Sequence, residues 1–368
     1  MNGSLLRTPL YEEHVSSGAK MVEFSGWEMP VQYADGIITE HLHTRNSVSL
    51  FDICHMGEFR VKGAAAGEAL DKILARAVAD QKNGTCRYNF LLTDRGTVMD
   101  DLIVYRLADD EFYIVVNAST IDSDAKRISS LLPSGVRFTD ESAKTAKLDL
   151  QGPESANVLE TLGLAKNTLP AYYSWGITSI KGIPCTLSRT GYTGELGFEI
   201  YIAEKYAVEL WRLLCRTGNV KPAGLGARDT IRLEMGYPLY GHELDLETTP
   251  VEAGFGKMLK LDSGRTFPGS ENLRNSQISK KLVGIELEGR RAARAGTRIL
   301  FEGKDCGIVT SGAFSPSLSL AVAMGYVGAE IPDTPGTRLE LSSERFSLGG
   351  VVSPPPFYKK GTAKINLL

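Results

Sequence analysis

The stretch Thr97–Arg106, TVMDDLIVYR, decides how the first half of the chain is read. Its β-branched, aliphatic and aromatic residues read as a strand, yet two adjacent carboxylates, Asp100 and Asp101, interrupt the run. Successive side chains of a strand point to opposite faces. The two Asp therefore sit in different surroundings: one faces whatever the sheet covers. Strand parity alone leaves open which one it is.

Working outward, strand-like runs recur at 58–61, 88–92, 112–116, 146–151, 183–188 and 198–202. Between them, helical spacing appears at 64–79, 119–132, 155–162, 207–215 and 227–235. After Ile278 the texture changes to short strands with almost no helix, at 281–288, 298–301, 304–310, 321–327, 338–341 and 347–352. That pattern predicts a small barrel or sandwich. The polar stretch 262–280 between the two textures carries the expected boundary. The fold class is α+β, with residues 1–275 as an α+β body large enough for more than one domain and 280–368 as an all-β domain.

Composition narrows the function. The 368 residues carry a net charge of -3, which offers no field for nucleic acid. No apolar stretch reaches the roughly 20 residues of a membrane helix. Five scattered cysteines without a C-x-x-C pair argue for a reducing compartment and against a zinc site. The N-terminal MNGSLLRTPLYEEH has neither a signal-peptide core nor an Arg/Ser-rich presequence. The expectation is a cytoplasmic protein, or a mitochondrial matrix one if the chain is processed. No P-loop, dinucleotide fingerprint, nucleophile elbow or metal pattern is present; His41 and His43 read as packing or surface residues.

Four segments keep chemistry in view: FDICHMGE (51–58), the run 87–106 with Tyr88 and the Asp pair, TGYTGELGFE (190–199) and GLGARDTIRLEMGYPLYGHELDL (224–246). Glycines at 191, 194 and 197 permit close backbone approach beside Tyr192, Glu195 and Glu199. Singly, each segment also suits a structural role. Asp229, for instance, sits well at the start of a helix.

Taken in order, these segments resemble the glycine cleavage T-protein (aminomethyltransferase) family. The likeness runs through RTPLYEEHVSSGAKMVEFSGWEMPVQY (7–33), HLHTRNSVSLFDICHMGE (41–58), VMDDLIVYR (98–106), LQGP (150–153), RTGYTGELGFEI (189–200), AGLGARDTIRLEMGYPLYGHEL (223–244), TTPVEAG (248–254), TSGAFSPSL (310–318) and AMGYV (323–327). It implies a three-lobed cloverleaf around a folate channel with a C-terminal β-barrel. It also implies a reaction in which an aminomethyl group on the lipoyl arm of an H-protein passes its methylene to tetrahydrofolate, releasing ammonia. A monomer without metal is the expectation.

The resemblance assigns the catalytic carboxylate to Asp101, where it stabilises a cationic iminium-like species or orients the attacking nitrogen. It places Glu199 at the pterin, with Tyr192, Tyr88, Asn117 and Arg228 along the folate. Met56 and Val115 are expected as apolar walls and Lys359 as a basic residue at the channel mouth, with Lys360 as an alternative. Basic clusters at 280–281 and 288–294 read first as a solvated face; docking of an acidic carrier there is an expectation that rests on charge alone. Two other functions fit the same family of shapes. A folate-dependent demethylase would usually carry a flavin domain, and an iron–sulfur maintenance protein a Cys-containing K-G-C-Y turn where this chain has Arg189-Thr190-Gly191-Tyr192. Neither feature is present.

Overall fold

A computed structural model describes residues 4–367. The chain enters a six-stranded sheet, leaves it to build a five-stranded one, and returns to finish the first. In spatial order the first sheet holds strands Trp175–Ile180, Ile183–Ser188, Gly197–Ala203, Thr145–Gln151, Val48–Asp52 and Val220–Pro222. The second holds Cys86–Leu92, Val98–Ala108, Glu111–Val116, Gly57–Lys62 and Arg137–Asp140. A closed six-stranded barrel follows, from Lys280–Leu287 to Phe346–Val352. The fold is thus α+β and three-lobed, with the barrel at the C-terminal end.

Each sheet buries one face under helices. In the first, Ala146, Leu148, Leu150, Phe198 and Ile200 pack beneath the helices Ser155–Thr161 and Ala207–Cys215. In the second, Leu102, Val104, Phe112 and Ile114 pack beneath Ala66–Ile73 and Ile121–Leu131. The alternate residues of both sheets face one another. On that inner face Tyr105 meets Tyr201, hydroxyl to hydroxyl, at 2.8 Å, and Lys147 approaches Glu58 at 3.7 Å. An antiparallel sheet usually turns its second face to water; here that face meets the other lobe, so polar residues are buried on it.

Several elements differ from the sequence reading, the unexpected strands Val48–Asp52 and Trp175–Ile180 among them, and three more cases follow. The helix expected over 64–79 ends at Ile73. Leu74 becomes extended and bridges Leu91, while the Ala75 amide donates to Phe90. Pairing along a neighbouring strand overrides helical spacing there. The strand expected at 304–310 continues to Ser315 through a register shift between Val309 and Ser311. The third difference is an unexpected helix, Gly36–Asn46, which holds His41 and His43. His41 is buried against Thr230 and Ser317, and His43 contacts the Asn219 carbonyl.

Candidate active site

The five-stranded sheet settles the parity question. Asp100 lies on the helix-covered face, fully buried, and accepts from the Asn117 backbone N–H at 3.0 Å and its side-chain amide at 2.8 Å. Asp101 lies on the inner face and is partly accessible. One Asp101 oxygen accepts from Tyr88 Oη at 2.9 Å and the other from Asn117 Nδ2 at 3.0 Å. Asn117 sits where the strand Glu111–Val116 ends, so one amide fixes both carboxylates. Burial, and then the neighbouring Asp100 charge, push Asp101 up to about 7, although Tyr88 and Asn117 oppose the shift. Such a carboxylate exchanges a proton near neutral pH.

Glu199 stands across the interlobe space, directly opposite Asp149 in its sheet. Its Oε2 is within hydrogen-bonding distance of Thr190 and Tyr201 at 2.9 Å and Tyr105 at 3.2 Å. Those hydroxyls gather on one oxygen, and no hydrogen bond to Oε1 is found among the described residues. Arg228, on the helix Leu225–Glu234, donates to Asp149 at 2.6 Å and lies 5.0 Å from the centroid of the Tyr192 ring. Tyr192 also stacks on Tyr237 and donates its hydroxyl to the Pro238 carbonyl. Met56 and Val115 share one apolar cluster with Ile103, Tyr105 and Tyr201. Lys359 is exposed, next to Tyr358, whose ring lies under the Arg45 guanidinium at 4.2 Å.

The structure therefore brings together three groups: Asp101 with Tyr88 and Asn117, Arg228 with Tyr192, and Met56 with Val115. Glu199 joins the third group through Tyr105 and Tyr201. Lys359 touches none of them. The segment TGYTGELG (190–197) requires glycine at two places, because a Cβ on Gly191 or Gly197 would lie 2.2 Å or 2.3 Å from the Gln151 amide. That amide instead bonds Asp149 at 2.6 Å and the Thr190 carbonyl at 3.1 Å.

Sequence reasoning missed a buried polar set on the inner face. Lys147, Asp149 and Gln151 are all fully buried, and burial raises Asp149 to about 6 even against Arg228. Glu58 is buried with neither carboxylate oxygen bonded, and burial pushes it up to about 8 although Lys147 opposes the shift. Asp124, from the helix Ile121–Leu131, stands beside Asp100. Burial and the Asp100 charge push it up to about 10, so it holds a proton at neutral pH. A signal was available in KLDLQ (147–151), where polar residues alternate with leucine. Alternation normally means solvent, and only the opposing sheet makes it an interior.

The GCVT N-terminal domain family matches residues 10–263, and the glycine cleavage T-protein C-terminal barrel domain family matches 280–359. The chain belongs to the glycine cleavage T-protein family. An aminomethyltransferase of Halothermothrix orenii is 42% identical over 357 residues, covering 95% of this chain and 99% of the relative. The Cutibacterium acnes aminomethyltransferase is 40% identical over 370 residues, covering 97% of this chain and 99% of that one. Among solved structures, the glycine cleavage system aminomethyltransferase T of Bartonella henselae superposes with a TM-score of 0.91 at 34% identity, covering 98% of this chain and 99% of that one. Membership makes the chain an aminomethyltransferase by family. Among the described residues no helix is long and apolar enough to cross a membrane.

Proposed function

We propose that this chain transfers the methylene of an aminomethyl group, carried on the lipoyl thiol of an H-protein, to tetrahydrofolate. Family membership supports the reaction class. The observation that carries the reading is the position of Asp101, a carboxylate held by two donors on the partly accessible inner face whose Tyr105 reaches Glu199 of the other sheet.

Glu199 Oε1 accepts from the ring N–H and amino donors of the pterin, while Met56 and Val115 pack on the ring. Tyr192 and Arg228 lie along the remainder of the folate, with Arg228 oriented by Asp149. Lys359, exposed on the C-terminal segment, serves an anionic tail at the mouth. Ionised Asp101 stabilises the iminium carbon and takes the proton of the attacking folate nitrogen. The balance is R–S–CH2–NH3+ plus the two folate N–H groups, giving 5,10-methylenetetrahydrofolate, R–SH and NH4+. One folate proton leaves with ammonia and the other reaches the thiol.

Residues 1–275 and 280–368 are proposed as the two structural units. A monomer is the proposed working state. Five free cysteines suit a reducing compartment such as the cytoplasm. The test is an assay with aminomethyl-lipoylated H-protein and tetrahydrofolate. Equimolar ammonia, free dihydrolipoyl thiol and methylenetetrahydrofolate are expected. Methylene transfer from an N-methylated amino acid, with none from the H-protein, would favour the demethylase instead.

A further inference from the structure

Behind Asp101 lies a buried acid that the reaction outlined above does not use. Asp124, on the helix Ile121–Leu131, is fully buried, and no donor of the described residues bonds either of its oxygens. Thr120, beside both Asp100 and Asp124, spends its hydroxyl on the Asn117 carbonyl at 3.0 Å. Arg127, one turn along the same helix, is bound to Asp94. A bare buried carboxylate is costly, and a buried polar group without a partner calls for an explanation. The neighbour of Asp124 is Asp100, within hydrogen-bonding contact. Two carboxyl groups in such contact share a proton, because an ionised carboxylate only accepts. The surroundings decide which one holds it. Asp100 already accepts from the Asn117 backbone N–H at 3.0 Å and its side-chain amide at 2.8 Å, bonds that favour its ionised form. Asp124 has no such donors, so it carries the proton and donates it toward Asp100.

We infer that Asp124 is a positioning residue: as a neutral acid it keeps Asp100 ionised, and Asp100 in turn holds Asn117 and sets the pH at which Asp101 becomes a base. This rests on the proposed function and deepens it. The groups are in contact throughout. Asn117 Nδ2 bonds Asp100 at 2.8 Å and Asp101 at 3.0 Å, and Tyr88 Oη reaches Asp101 at 2.9 Å on the inner face. Tyr88 from the strand Cys86–Leu92, Tyr192 from the G-Y-T-G turn and Tyr240 from the segment after the helix Leu225–Glu234 face these acids. Burial pushes all three hydroxyls up, so they are uncharged at neutral pH. The Asp100 charge therefore stands beside Asp101 and disfavours its ionisation. Without the Asp124 donor, buried Asp100 takes up a proton itself. Its charge is then lost, and Asp101 ionises at lower pH.

The test compares Asp124→Asn, whose amide still donates to Asp100, with Asp124→Leu, which fills the space without a donor. The readout is the midpoint of kcat/KM against pH, with aminomethyl-lipoylated H-protein and tetrahydrofolate. Asp124→Asn should keep the wild-type midpoint. In Asp124→Leu the midpoint should move about one pH unit lower, the scale of a lost neighbouring charge. An unmoved midpoint in Asp124→Leu, or a shift as large in Asp124→Asn, would overturn the inference. An infrared difference spectrum of wild type against Asp124→Asn reads the proton itself. At neutral pH the carbonyl band of a protonated carboxylic acid should be present in the wild type and missing from the variant. No such difference would overturn the inference even if Asp124→Leu does not fold. These results remove only the role of Asp124, whereas a wild-type chain that transfers no methylene from the H-protein removes the proposed function with it.

Discussion

At the scale of single residues, the catalytic proposal turns on one amide. Asn117 bonds Asp100 and Asp101 together, so the two carboxylates are coupled rather than divided into one working group and one bystander. Asp124 extends the chain of acids behind them. The sign of the coupling is testable. Asp101 is raised to about 7, by burial first and by the Asp100 charge second. Activity that needs ionised Asp101 should rise with pH through a midpoint near 7 and level off above it. Replacing Asp100 with Asn removes a like charge, which lowers the Asp101 pKa. The midpoint of the kcat/KM profile should then move to lower pH. A profile that stays in place would show that another group sets it.

At the scale of elements, legibility followed periodicity. Strands with one clean apolar face, such as Glu111–Val116 and Gly197–Ala203, were readable within a residue or two. So was the barrel texture, because short strands and turns alternate without helix. The helix Gly36–Asn46 was not. It buries Glu40, His41, Thr44 and Arg45 and exposes Ile38 and Leu42, the reverse of an amphipathic helix. Its polar face is interior because Arg45 bonds Glu195 at 2.7 Å and Glu234 at 2.8 Å. Nothing in a window of sequence shows partners about 150 and 190 positions away. Lys147 and Glu58 escaped notice for the same reason, since each needs the opposite sheet. The Asp pair was visible locally, but parity could not choose its inward member. The resemblance selected Asp101, and the strand register then placed it on the inner face.

At the scale of the whole molecule, buried ion pairs tie the lobes together. Glu234 receives Arg45 and stands 3.1 Å from His41, while Ser315 donates to it from the barrel. The barrel also receives Arg232, through Ser311 at 2.8 Å. The C-terminal segment crosses the G-Y-T-G turn, where Thr362 donates to Glu195 and Arg189 donates to the Ala363 and Ile365 carbonyls. Burial alone would raise Glu234, yet His41, Arg45 and Ser315 pull it down to about 2 from an ordinary 4.5. A carboxylate depressed in the folded state stabilises above its unfolded pKa, and that stability is lost as pH falls toward the folded value. The urea midpoint should therefore drop between about pH 4.5 and 2. In Glu234→Gln the drop across that window should be shallower, and an equal slope would remove Glu234 as its source. With the lobes so held, the inner faces that carry Asp101 and Glu199 stay joined through Tyr105. The most direct measurement is single-turnover methylene transfer from aminomethyl-lipoylated H-protein by Asp101→Asn, with tetrahydrofolate affinity measured in parallel. Transfer should fall about 10²- to 10⁴-fold, the usual share of a general base, while tetrahydrofolate still binds. A variant that keeps more than about a tenth of wild-type transfer, far above that range, would contradict the central role of Asp101.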